Sequence, residues 1–174
     1  MMGFFKNAFK KAVKKQITES LKKAEREKKE KQELANKMKG HAKLQSQQLL
    51  KIVNDCVTLV NTTVNPEVFF SRYNLMLENL EKLAGLECTG IFDNSKELPS
   101  DAFLRVESRF DDVTKTFLDR SFSKAKEHAE TLKTDSGKLN ALKRYFDNME
   151  KYTIHMSDES REHFNKMKET YLKD

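Results

Sequence analysis

Residues 65–83, NPEVFFSRYNLMLENLEKL, decide the fold class. Asn65, Pro66 and Glu67 together carry the chemistry of a helix start. Asn offers a side-chain acceptor at the N-cap, Pro has its φ already set for the first helical position, and Glu sits beside the positive end of the helix dipole. Behind them Phe69, Phe70, Tyr73, Leu77, Leu80 and Leu83 recur at spacings of three to four, the period of one buried helix face rather than the alternation of a strand. The run ends before Gly85.

The same punctuation extends in both directions. Gly40, Pro66, Gly85, Gly90, Pro99 and Gly137 are read as lying between periodic segments, where helices stop and start. Upstream, Leu49, Ile52, Val53, Cys56, Val57 and Val60 predict a helix over 41–62, preceded by one over 4–39 that stops at Gly40. Downstream, residues 86–99 form the longest irregular stretch. Ser100 then caps a helix whose face runs from Phe103 through Phe110 and Phe117 to Leu132, about nine turns, until Asp135-Ser136-Gly137 breaks it. Leu139, Leu142, Tyr145, Phe146, Met149 and Tyr152 predict the next helix, and Ser157 opens a last one through Phe164, Met167 and Tyr171. No strand-like alternation of useful length occurs. The expected fold is all-α, an antiparallel bundle of about five helices with a long, basic, charged N-terminal helix. Its expected division is an arm over 1–39 and a bundle over 40–174.

Charge separates these two parts. The chain has 174 residues and a net charge of +6, yet residues 1–31 hold eleven Lys/Arg and four Glu, or +7, which leaves −1 for the rest. Within the arm, Phe5, Ala8, Phe9, Ala12 and Val13 fall on one face of a helical wheel, with Lys6, Lys10, Lys11, Lys14 and Lys15 on the other and no acid before Glu19. That segregation describes an interfacial helix for an anionic membrane, with Phe4, Phe5, Phe9 and Val13 inserting and the lysines contributing about 1 kcal/mol each near the surface. The same stripe also suits a protein partner or a second copy of the chain. Residues 25–33, EREKKEKQE, contain no apolar side chain and predict a solvated spacer. Pairs Glu19–Lys23, Glu25–Lys29, Glu27–Lys31 and Glu33–Lys37 are expected to support it, each at about 0.2–0.5 kcal/mol. Apolar positions beyond Leu21 are too sparse for sustained heptads, so any coiled coil there is short.

Catalytic and ligand signatures are absent from the sequence. Cys56 and Cys88 form no CxxC, and Cys56 lies on an apolar helical stripe. His155, Glu159 and His163 share a spacing of four, but Ser157 as an N-cap places a helix break among them, and neither HExxH nor the Glu-x-x-His of di-iron bundles occurs. No glycine-rich phosphate loop is present. The expectation is therefore no catalytic residue, no cofactor and no metal site. A signal peptide needs an apolar core that the lysines interrupt, the myristoylation pattern fails at Asn7, and no run is long enough to span a bilayer. These features lead to an expected cytoplasmic placement, peripheral at the inner membrane surface.

Two short patterns, Phe69-Phe70-Ser71-Arg72-Tyr73 and Phe117-Leu118-Asp119-Arg120-Ser121-Phe122, set an arginine after an apolar pair. Arg72, Tyr73 and Arg120 are thereby candidates for a groove in which an arginine anchors an acidic group of a partner. The functional expectation is a non-enzymatic adaptor that contacts an anionic membrane or a protein partner through residues 4–21. Homo-oligomerisation through helix one and a basic clamp on nucleic acid are the alternatives. Against the clamp, residues 100–174 carry fifteen basic and fifteen acidic residues and 44–99 sum to −3, so no second basic surface follows from the count.

Overall fold

The computed structural model describes the backbone of residues 2–172 and the side chains of residues 19–172. Among them there is no strand. The described residues form six α-helices: α1 (Met2–Thr62), α2 (Pro66–Ala84), α3 (Pro99–Ser108), α4 (Phe110–Glu130), α5 (Asp135–Glu150) and α6 (Asp158–Tyr171). Short 3₁₀ turns at Glu87–Thr89 and Thr153–His155 complete it, and the all-α class stands. No described helix is long and apolar enough to cross a membrane.

The helix starts follow local chemistry. Asn65 Oδ1 accepts from the N–H groups of Glu67 at 2.9 Å and Val68 at 3.4 Å, with Pro66 in the first turn. Ser157 Oγ accepts from Ser160 N at 3.1 Å and so opens α6.

Four boundary features differ from the sequence reading. Gly40 does not end a helix: α1 runs through it. Among the described residues, the left-handed cap that a helix-ending glycine commonly adopts is found only at Gly90 (φ 71°), which closes the turn after Glu87–Thr89. At Gly40 the neighbouring Lys, Met, His and Ala residues are compatible with helix, and a single interior glycine costs only about 1 kcal/mol. Conversely, the long helix expected from Ser100 to Leu132 is two helices, parted at Arg109. The Tyr73 hydroxyl of α2 donates to the carbonyl of Val106, the acceptor that a continuing helix would give to the Phe110 N–H. Arg109 N–H takes the same carbonyl at 3.2 Å, which tightens the last turn of α3.

Nor is Ser100 a side-chain cap. Leu98 holds the N-cap position, and Glu87 reaches across to accept from Ser100 N at 2.7 Å and Ser100 Oγ at 3.2 Å. Gly137 is no breaker either. It lies inside α5, where its N–H donates to the capping Thr134 Oγ1 at 3.1 Å. A Cβ on Gly137 would stand 2.9 Å from that same oxygen, so the glycine serves the cap.

The chain divides into two units, Met1–Leu44 and Gln45–Asp174. In the first, every described side chain from Glu19 to His41 is exposed, including Leu21 (61%), Leu34 (60%) and Met38 (59%). None of the four Glu–Lys pairs expected there is found at ion-pair distance among the described residues. A solvated pair of long side chains loses about as much rotamer freedom as it gains in Coulomb energy.

The second unit holds one core. Its centre is aromatic: Phe69 of α2 stacks on Phe117 of α4 with ring centroids 4.1 Å apart, and both are fully buried. Leu49, Val53, Cys56 and Val60 bring the last turns of α1 onto it, and Phe146 and Phe164 bring α5 and α6. Tyr145 adds a polar tie, its hydroxyl within 2.8 Å of Ser121 Oγ, and burial pushes its pKa up to about 12.

Thr114 is fully buried on α4 and its hydroxyl has no hydrogen-bond partner in the protein. An unpaired buried hydroxyl costs about 1–3 kcal/mol, and valine has nearly the same shape. Thr114→Val is therefore expected to raise the unfolding free energy by about 1 kcal/mol. The urea midpoint measures this, and a lower midpoint would show that the hydroxyl is engaged after all.

Candidate functional site

A surface concavity of the second unit lies where the last turns of α1 meet the α3–α4 junction. It comprises two recesses of about 200 and 180 Å³ that share Val60, Asn61, Arg109 and Val113. Local sequence explains each wall. Val57 and Val60 project from α1 at a spacing of three, Tyr73 and Met76 do so from α2, and the break at Arg109 opens the space between α3 and α4.

The larger recess has an apolar floor that includes Val57, Tyr73, Met76 and Val106, rimmed by Arg105 and Arg109. The smaller is more polar, with Asp112, Thr116 and Arg120 joining the shared residues.

Three guanidinium groups thus line one groove, each in a different state. Arg105 is held by Glu97 in a two-point pair, Nε to Oε1 at 2.8 Å and Nη2 to Oε2 at 3.0 Å. The hydrogen bonds from Arg105 keep the Glu97 carboxyl below its ordinary pKa. Arg120 donates from Nε to the carbonyl of Thr63 at 3.0 Å and from Nη2 to that of Val60 at 2.9 Å. It thereby closes the C-terminal end of α1, where the helix dipole favours a cation. Burial lowers its pKa, and its Cζ lies 5.9 Å from the centroid of the Phe117 ring. Arg109, at the helix junction, is exposed and has neither a carboxylate nor a carbonyl at bonding distance among the described residues.

The residues singled out from the sequence are placed as follows. Tyr73 lines the larger recess, with its hydroxyl committed to Val106 and its pKa pushed up to about 12, chiefly by burial. Arg120 lines the smaller one. Arg72 lines neither. It is exposed on α2; burial raises the pKa of the Cys56 thiol, and the positive charge of Arg72 offsets part of that rise. Arg105, Arg109 and Asn61 belong to the groove and were not among the candidates. Arg105 and Arg109 stand four residues apart, which was the available signal. The side chains of Phe4, Phe5, Phe9, Val13, Lys6, Lys10, Lys11, Lys14 and Lys15 lie outside the described residues.

No cluster of three or more His, Cys, Asp or Glu suited to a metal ion occurs among the described residues. His163 lies 2.7 Å from Asp119, and His155 lies against Phe70 at 5.6 Å between centroids.

Fold and site together define an all-α protein with an exposed charged helix and an arginine-rimmed groove on its helical core. No protein-family model matches the chain, and no curated protein or solved structure is similar to it at a significant level.

Proposed function

We propose that this chain is a non-enzymatic helical adaptor that docks on an anionic membrane surface through residues 4–21. One observation carries the reading: from Glu19 to His41 the helix buries no side chain, and even Leu21, Leu34 and Met38 remain about 60% exposed. A helix that leaves its apolar side chains in solvent for six turns gains its stability elsewhere, and in this sequence the segregated apolar and basic faces of residues 5–15 are the element suited to supply it. Phe5, Phe9 and Val13 enter the headgroup–acyl boundary, and the lysines of the opposite face remain with the anionic headgroups.

Co-sedimentation with phosphatidylglycerol-containing vesicles at low salt tests the proposal. The full chain is expected to pellet with them, and Phe5→Asp combined with Phe9→Asp to remain in the supernatant while the thermal melt of the core is unchanged. No co-sedimentation, or binding indifferent to the two phenylalanines, would sink it.

The exposed Leu34 and Met38 favour a second reading, self-association through α1. Sedimentation velocity with and without residues 1–31 separates the two, because only self-association predicts a change of mass without lipid.

A further inference from the structure

We infer that the groove at the α3–α4 junction is a docking site for an acidic–apolar peptide segment of a partner protein. The segment seats an apolar side chain in the Tyr73 recess and a carboxylate on Arg109. This goes beyond the membrane reading and does not depend on it, since every residue involved lies in the second unit.

Charge complementarity selects the occupant. Three arginines and one acid, Asp112, line the two recesses, and Glu97 neutralises Arg105 from outside. One positive charge is therefore left over (three minus one minus one). Arg120 spends its hydrogen bonds on carbonyls, so its charge meets no carboxylate. Arg109 has its fork of donors free at the boundary between the recesses. A guanidinium in that state fits a carboxylate in two-point geometry.

The floor argues for more than a bare anion. Val57 remains 39% exposed although it lines the larger recess, beside Val60, Met76 and Val113. A free inorganic anion would leave that apolar surface wet, and a nucleic-acid backbone would want a continuous basic track. A volume of about 200 Å³ takes one large side chain, and the adjoining recess takes its charged neighbour.

The full chain, panned against a random dodecapeptide phage library, tests this. Selected peptides are expected to share an Asp or Glu within about three residues of Leu, Ile, Met or Phe. Fluorescein-labelled copies are expected to bind the wild type about tenfold or more tightly than Arg109→Glu, the size of one lost charge-assisted pair. Val57→Asp, also at an exposed position, is expected to weaken them comparably, with both variants keeping the wild-type thermal melt. The chain carrying Phe5→Asp and Phe9→Asp is expected to bind the peptides unchanged, which separates failure here from failure of the membrane reading. No acidic consensus, a basic consensus, or peptides that bind Arg109→Glu as well as wild type would overturn the inference. So would vesicle or oligonucleotide binding that Arg109→Glu abolishes while no acidic peptide is selected.

Discussion

Phe117→Ala is expected to lower the unfolding free energy by about 3–5 kcal/mol, the range for deleting a fully buried aromatic ring. The upper half of that range applies for geometric reasons. The ring is fully buried, stacks on Phe69 at 4.1 Å, meets Phe70 edge-on at 6.2 Å, and has the Arg120 guanidinium over it at 5.9 Å. Phe69 cannot slide into the vacated space freely, because Phe70 holds it in a T-shaped contact at 5.0 Å on the same helix. The cavity therefore persists, and its cost adds to the lost transfer energy. Urea unfolding is expected to show a lower midpoint with an unchanged slope. As the control, Ile154→Ala at a side chain 78% exposed is expected to shift stability by less than about 0.5 kcal/mol. A loss below about 1.5 kcal/mol at Phe117 would mean that α2 and α4 repack around the gap.

The second large effect is expected at Arg120. Arg120→Met keeps most of the aliphatic stem but removes both donors from the carbonyls of Val60 and Thr63. Hydrogen bonds from a charged donor contribute about 1.5–3 kcal/mol each where they are partly buried, and these two share one side chain whose desolvation offsets part of the gain. A loss of about 2–3 kcal/mol is expected. Arg120→Lys is expected to recover roughly half, because one ammonium cannot fork across two carbonyls three residues apart. Hydrogen exchange at the amides of residues 56–62 supplies a local readout: the last turn of α1 is expected to fray in Arg120→Met. Full protection there would show that the carbonyls need no cap.

Much of the helical architecture was legible in the chain, and the exceptions share a cause. Asn65-Pro66-Glu67 and Ser157 mark helix starts with groups that act within three residues of themselves, so pattern reading finds them. The buried face of α2 was legible for the same reason: Phe69, Phe70, Tyr73, Leu80 and Leu83 recur at helical period and are all buried, whereas Leu77 on the same stripe is only half-buried. Gly40 misleads because glycine permits a helix end without requiring one. The break at Arg109 was hidden because Phe103, Val106, Phe110, Val113 and Phe117 keep their spacing across it.

The groove was half legible. Tyr73 and Arg120 were drawn from a local pattern, yet each lines its recess because of a bond to distant chain, 33 residues away for Tyr73 and 57 and 60 for Arg120. Arg72 has the same local pattern as Arg120 and faces elsewhere.

By itself, then, the sequence determined the all-α class, the starts of α2 and α6, most of the buried face of α2 and the concentration of positive charge in the first 31 residues. Those properties depend on period, caps and composition, and all of them act over a turn or two of helix. Tertiary structure alone decided that α3 and α4 are separate, that a tyrosine and an arginine close the ends of other helices, and that Arg109 is left with free donors above an apolar floor. A helix end can be satisfied by any donor or acceptor that packing brings within hydrogen-bonding distance, and spacing along the chain does not record which one arrives.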